Sequence, residues 1–409
     1  MSNNFDIAVI GGGASGLFFT ALYSKLHKEH KIAVIEKNQR VGKKLLVTGN
    51  GRCNLTNLYT QSNNFHGSFA SFHIFDILDM CPPEKVLDLF KEMGLITRAD
   101  ECGRVYPKSN QASSVLDVLR YNCESENVSF LCEEKVIKAE KKKDIFTVTT
   151  DKRMFTCKKL VIASGGAAAP KAGGDKSGYD LLKSLGHTVI KPSPALCPVG
   201  VKSELLKSLK GIRVQGEVAL ICDGNEVSAE SGEVQFAENA LSGICVFNLS
   251  QYVENDKKYK LRIRLMPDVD FNEITRILTN NRRVFSNLEA ENLMTGIFHK
   301  RVAQALMKTA GIAFNKKVSE ITDKEIKSLA KTINGFDFEV TGLGDFSNAQ
   351  VTKGGVKGNE VISSTMESKK TQGLYILGEA LDCNGDCGGF NLHFAFATAY
   401  IAANGLWLK

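Results

Sequence analysis

Residues 6–16 read DIAVIGGGASG, and after a helix-like stretch residues 31–37 read KIAVIEK. The order is a buried strand, a glycine turn, a helix and a second buried strand that ends in an acid. Each part meets a need of a bound adenine dinucleotide. Gly11 permits the tight turn out of the strand, and Gly13 lets the backbone approach a pyrophosphate. Gly16 lets the helix pack closely on the strand, and Ala14 and Ser15 open that helix. The pyrophosphate then meets free amides and the positive end of the helix dipole. Glu36 follows Gly16 by twenty residues, where a carboxylate accepts bonds from ribose hydroxyls.

Working outward, residues 40–57 (RVGKKLLVTGNGRCNLTN) show neither helical nor strand periodicity. A long basic, glycine-rich loop directly after the ribose-binding strand reads as functional. Residues 71–120 read as helix in two parts, one of them PPEKVLDLFKEMG, ending at Gly94. Alternation through residues 133–157 predicts a three-stranded antiparallel meander. Next, KLVIASGGAAAP (159–170) predicts another buried strand running into a double-glycine turn. From about 194 to 346 the pattern changes to short alternating strands (194–268, with 336–346) and amphipathic helices (269–335). Residues 373–382, GLYILGEALD, return to the first style, followed by a glycine turn and an apolar helix over about 391–405. The predicted architecture is α/β. A Rossmann-like parallel sheet with its meander spans 1–193 and 347–409, and a β-barrel-like and helical domain is inserted at 194–346.

The 409 residues are 43% hydrophobic and 24% charged, with net charge +7, which is ordinary for a globular protein. Nothing resembles a basic stripe with interleaved aromatics, so nucleic acid is not expected as a partner. No apolar run approaches a membrane span, and MSNNFD does not begin a signal peptide. Eleven scattered cysteines fit a reducing cytoplasm better than a disulfide framework. Cys383 and Cys387 flank a turn as C-x3-C, read as two free thiols with a redox pair as the alternative. No CxxC pairs with a distant Cys or His pair, so no metal is expected.

Nicotinamide and flavin dinucleotides share the opening motif. The late strand ending in Gly-Glu, and the helix beginning near Gly389, favour FAD. A helix N-terminus there stabilises negative charge on the pyrimidine side of a reduced flavin. Asp382 is placed to reach the ribityl chain. A second strand–GxGxxG–helix motif is missing, so NADH or NADPH would visit only transiently. Oxygen remains open as an acceptor.

The motifs VIGGGASGL, EKNQRVGKKLLVTGNGRCNLTN, LVIASGG, SGYDLLKSLGH, VTKGGV, TMESK, and GLYILGEALD followed by GGFNLHFAFATA run from end to end. In them the chain resembles the bacterial flavoproteins of BaiN and YhiN type, which include aminoacetone oxidase-like proteins. The resemblance implies a non-covalent FAD in a glutathione-reductase-type domain and oxidoreductase activity on a small organic substrate. It implies that Gly11, Gly13, Ala14 and Ser15 hold the pyrophosphate, and that Glu36 and Lys37 hold the adenosine end. It places Arg52, Asn54 and Leu55 along the flavin or its phosphates, Val136 on the adenine, and Ala163, Ser164, Gly165 and Gly166 along the nucleotide. Gly378, Glu379, Asp382, Gly389, Phe390 and Asn391 are implied to close on the isoalloxazine and ribityl parts. Two segments depart from the pattern: Cys383 and Cys387 stand where Val and Thr are expected, and KAGGDKSGYD (171–180) differs from the usual glycine–serine–threonine–glycine run.

For proton transfer the candidates are Lys44, Tyr106 and His393. Lys44 and Arg52 are weighed more as phosphate ligands, and His393 more as an interior residue. Lys353 belongs to a segment expected to face the flavin, where residues 351–356 and Met366 are read as a covering loop. The leading reading is an FAD-dependent, NAD(P)H-linked oxidoreductase. The alternatives are an amine oxidase using oxygen, a flavin-binding RNA-modifying factor, and a redox-sensing protein.

Overall fold

The computed structural model describes residues 4–254 and 256–408. It divides into two compact units: one runs to Pro194 and resumes at Phe346, and the other holds Ala195–Asp345.

The first unit is organised by a parallel sheet. Strand β1 (Asn4–Ile10) lies between β2 (Ile32–Glu36) and the strand Met154–Ile162. Val128–Cys132 extends the sheet beyond β2, and Leu374–Ile376 pairs with the far edge of Met154–Ile162. Ile7, Val9, Ile32, Val34, Leu160 and Val161 are completely buried. Continuous β-branched runs of this kind suit a sheet covered on both faces. Helix α1 (Ala14–Leu26) covers one face and packs on the C-terminal helix Phe390–Gly405. Phe18 meets Phe396 at 4.9 Å and Phe90 at 5.0 Å between ring centroids, so aromatic packing joins three helices at one point.

The meander forms from Val136–Lys142, Ile145–Thr150 and Met154–Ile162. Its third strand is continuous with the buried strand that the sequence reading separated from it. The first half alternates because one side pairs with the meander, and the second half is uniformly apolar because it enters the parallel sheet. One strand thus carries two periodicities.

The stretch read as two helices over 71–120 holds three, Ser68–Met80, Pro83–Glu92 and Ala112–Cys123. A small hairpin, Thr97–Ala99 with Arg104–Pro107, separates the last two. Asp100 makes its turn by accepting the amides of Cys102 and Arg104 at 3.0 Å, a local Asx arrangement that helical spacing does not reveal. Residues 351–356 form a strand paired with Val189–Ala195, in place of a covering loop. Met366, read as part of that loop, is fully buried in the hydrophobic core.

The second unit is a closed six-stranded antiparallel barrel completed by Phe336–Leu343. Between its last two strands the chain makes three helices, Phe271–Val284, Lys300–Ala310 and Asp323–Ile333. The first is capped by Asp270 accepting two amides, and the third by a reciprocal Thr322–Glu325 box. No helix among the described residues is long and apolar enough to cross a membrane.

Candidate functional site

The carboxyl ends of the parallel strands open into a cleft within the first unit, the usual place for a ligand in an α/β sheet. One wall is the glycine turn. Gly11 has φ +106°, and a Cβ there would stand 2.4 Å from the Ala163 carbonyl oxygen. At Gly16 a Cβ would meet the Gly11 carbonyl oxygen at 2.0 Å. Both glycines are therefore required by the fold itself. Gly13 differs: a Cβ there would meet no atom within 4 Å. Its lack of a side chain is unexplained by packing and leaves an open cradle beside the first turn of α1. That turn has no acidic residue and no side-chain cap, so its amides are available to an anion.

Glu36 lies nearly buried at the end of β2. Its Oε2 accepts the Gly12 amide at 3.0 Å, and its Oε1 accepts the Asn38 amide at 2.8 Å and Asn38 Nδ2 at 2.6 Å. The carboxylate that the sequence assigned to a ribose also braces the glycine turn. Beside it Lys37 pairs with Asp175. Burial raises the Asp175 pKa, but bonds from Lys37 and Ser177 outweigh it and hold the carboxyl below its usual value.

At the other end Lys44 Nζ donates to Glu379 Oε2 at 2.7 Å. Glu379 Oε1 accepts the Thr352 amide at 2.7 Å, and Thr352 Oγ1 accepts the Ala168 amide at 3.0 Å. A Cβ at Gly166 would collide with Thr352 Oγ1 at 2.4 Å. The loop after the central strand is thus locked to the late Gly-Glu turn by short polar contacts. Ser164 lines the cleft, and its buried Oγ has no hydrogen-bond partner. A polar atom so placed is a site for a ligand donor or acceptor.

Of the residues predicted from sequence, the cleft brings together Gly11, Gly13, Ala14, Ser15, Glu36, Lys37, Lys44, Val136, Ala163, Ser164, Gly165, Gly166, Glu379 and Asn391. Others lie off its lining. Arg52 stacks over the Tyr106 ring, 4.8 Å from its centroid, and Arg98 lies 6.0 Å from it. Leu55 is core. Asn54 sits beneath Gly389, where a Cβ would come within 2.8 Å of its Oδ1. Asp382 accepts the Ser68 amide at 2.7 Å and so secures the start of the helix Ser68–Met80. Gly378 donates its amide to Thr398, while Gly389 and Phe390 begin the C-terminal helix. Tyr106 and His393 therefore do not reach the cleft, and of the three proton-transfer candidates only Lys44 does.

His393 is fully buried, with Nδ1 3.0 Å from Thr56 Oγ1. Burial pushes its pKa down to about 4, so it is neutral in the folded protein at pH 7. The unfolded chain takes up that proton near pH 6.5. Stability from this residue is therefore complete above pH 6.5 and is lost as pH falls from 6.5 toward 4, by roughly 3 kcal/mol in all. His187, also buried and lowered by desolvation, adds to the same slope. Urea melts at pH 7.0, 5.5 and 4.5 should show this loss, and His393→Leu should flatten it. A slope equal in both proteins would remove the assignment.

Asn38, Thr48, Asp175, Ser177 and Gln350 also line the cleft and were not anticipated. Asp175 and Ser177 lie in the departing segment 171–180, which was the available signal. Cys383 lines the cleft as well, but full burial drives its thiol well above the usual value. It is not an activated thiolate.

A family model described as the HI0933-like protein Rossmann domain matches residues 5–405. The chain is 31% identical over 400 residues, 97% of each protein, to the 3-dehydro-bile acid delta(4,6)-reductase of Clostridium scindens. It is 29% identical over 412 residues, 98% of each, to the ribosomal RNA dihydrouridine synthase of Escherichia coli. Among solved structures it is similar to 3-ketosteroid delta1-dehydrogenase from Sterolibacterium denitrificans. That match has 12% identity and a TM-score of 0.48, and covers 98% of this chain and 99% of that one.

Proposed function

The chain belongs to the HI0933-like family and is an FAD-dependent oxidoreductase; from that premise we propose that it reduces a carbon–carbon double bond conjugated to a carbonyl, with NADH or NADPH as the hydride source. The observation that carries the reductase reading is the pair of full-length relatives. One is named for reducing delta(4,6) bonds and the other for making dihydrouridine. Both names describe addition of two hydrogens across a double bond that is conjugated to a carbonyl.

The cleft suits the cofactor. The open cradle at Gly13 and the acid-free start of α1 would receive the pyrophosphate, and Glu36 and Lys37 the adenosine end. The partnerless Ser164 Oγ would bond along the chain between the two ends. FAD supplies the hydride chemistry. The protein's part is orientation and charge. Lys44 presents a cation to the cleft, which Thr48, Gln350 and Asn391 also line, and there it would stabilise negative charge developing during reduction. Glu379 holds that ammonium in place, and Tyr179 Oη braces the Glu379 backbone by donating to its carbonyl oxygen at 3.2 Å. No second glycine motif supports a resident nicotinamide, which favours a transient visit.

The test begins with the purified protein, which should be yellow. Anaerobic NADH or NADPH should bleach the flavin band, and a steroid dienone with its carbonyl in conjugation should restore it. A flavin that neither nucleotide reduces would sink the nicotinamide linkage. Reoxidation by oxygen alone, with no response to any conjugated acceptor, would sink the reductase reading.

A second reading, in which the double bond belongs to a uridine in RNA, is favoured by where the charge lies. Residues 271–335 hold 11 Lys and Arg against 6 Asp and Glu. A groove there is lined by Arg276, Arg282 and Arg283 among Asn, Thr and Ser. Salt-sensitive retention of ribosomal RNA fragments, weakened by Arg283→Glu, would support it. Retention unchanged by salt would remove it.

A further inference from the structure

The turn between α1 and β2 carries the sequence His27-Lys28-Glu29-His30. Among the described residues it holds the one group of three or more His, Cys, Asp or Glu side chains whose ligand atoms converge, all within 4.8 Å of one another. His30 Nε2 lies 3.3 Å from Glu29 Oε1, and His27 Nδ1 lies 3.6 Å from the same oxygen. Zinc bonds of about 2.0–2.2 Å at tetrahedral angles set neighbouring ligand atoms about 3.3–3.6 Å apart. Both observed separations fall in that interval. The two imidazole rings lie 5.2 Å apart between centroids, with 16° between their planes.

The surroundings are built to hold this arrangement. Tyr23, fully buried in α1, has its hydroxyl 3.0 Å from His30 Nδ1. With the proton on Nδ1 donated to Tyr23 Oη, the Nε2 lone pair faces Glu29. A ring nitrogen fixed by a partner is the usual support of a metal-bound histidine. The backbone is fixed from a distant segment: Asn127 Nδ2 donates to the His30 carbonyl at 2.9 Å and to the His27 carbonyl at 3.3 Å. The His30 amide also bonds to the His27 carbonyl at 3.2 Å. The backbone of the turn is thus ordered in advance, and the exposed Glu29 side chain is the main group left to order on binding.

We infer that His27, Glu29 and His30 form a binding site for a divalent first-row transition cation, with water completing the coordination. Two imidazoles and one carboxylate select zinc, nickel or cobalt over calcium or magnesium, which prefer all-oxygen sites. The ligand set differs from the cysteine pairs sought in the sequence. The site sits at the far end of α1, about 20 Å along the helix from Gly13, so it is structural. It ties the turn of the βαβ unit that carries the glycine motif.

Chelator-stripped full-length protein, dialysed against zinc or nickel and analysed for metal, should retain one equivalent per chain. Glu29→Gln, at an exposed position, and the double variant His27→Ala/His30→Ala should each lose that equivalent while keeping flavin. Tyr23→Phe should weaken binding about tenfold or more. Zinc should raise the melting temperature of the parent protein by a few degrees, and leave the double variant unmoved. Metal held equally by parent and variants, as eleven free cysteines could do, would overturn the assignment. So would no retained metal at all. Neither outcome depends on the redox reading, which is scored by flavin bleaching alone.

Discussion

Gly13→Ala should leave the folded protein nearly as stable as its parent, yet cut its affinity for FAD by about a hundredfold or more. Nothing in the fold opposes the added methyl, because no atom lies within 4 Å of it. The backbone at Gly13 has φ −87° and ψ −163°, an extended conformation open to any residue. Alanine is a poorer N-cap than glycine but restricts the unfolded chain, so the two effects leave stability within about 1 kcal/mol. The methyl does fill the cradle into which the pyrophosphate must come. Gly11→Ala gives the contrasting result. There φ is +106° and the Cβ would overlap the Ala163 carbonyl oxygen at 2.4 Å, so the fold itself should lose about 2–4 kcal/mol or more. Flavin-to-protein ratio after gel filtration, with urea melts of the flavin-free proteins, separates the two. Full flavin retention by Gly13→Ala would mean that the anion site is elsewhere.

Glu36→Ala should also release FAD, by about a hundredfold, and for two coupled reasons. Bonds to a carboxylate are worth about 1.5–3 kcal/mol each, and the variant removes the acceptor proposed for the ribose. It also frees the Gly12 and Asn38 amides that Glu36 now satisfies, so the turn loses its brace. Glu36→Gln keeps one carbonyl oxygen for the Gly12 amide and should fall between Glu36→Ala and the parent. An equal loss in both variants would say that charge alone matters. No loss in either would remove Glu36 from the cofactor site.

Much of this site was legible because its determinants are short-range. The strand–turn–helix–strand unit follows from two apolar runs, three glycines and an acid within about thirty residues, and periodicity reads such local order well. The misreadings have physical causes. The strand Met154–Ile162 belongs to two pairings at once, so its alternating half and its uniform half looked like separate strands. The hairpin at Thr97–Pro107 rests on Asp100 capping its own turn, which helical spacing does not record. Asp382 stands three residues after Glu379, which lines the cleft, but the Asp382 carboxylate is taken by the Ser68 amide, an acceptor role set by a helix far away in sequence.

The sequence by itself determined the βαβ unit, the glycine positions within it and the acid at the end of β2. Those depend on side-chain period and on φ, and both are properties of neighbouring residues. Only the tertiary structure decided which distant groups meet at the cleft. Lys44 and Glu379 are 335 positions apart, Lys37 and Asp175 are 138 apart, and both pairs exist because the parallel sheet brings its strand ends to one edge. The same packing buried His393 and Met366 and left the Gly13 cradle open. Burial and open space are set by the whole fold, and no local pattern encodes them.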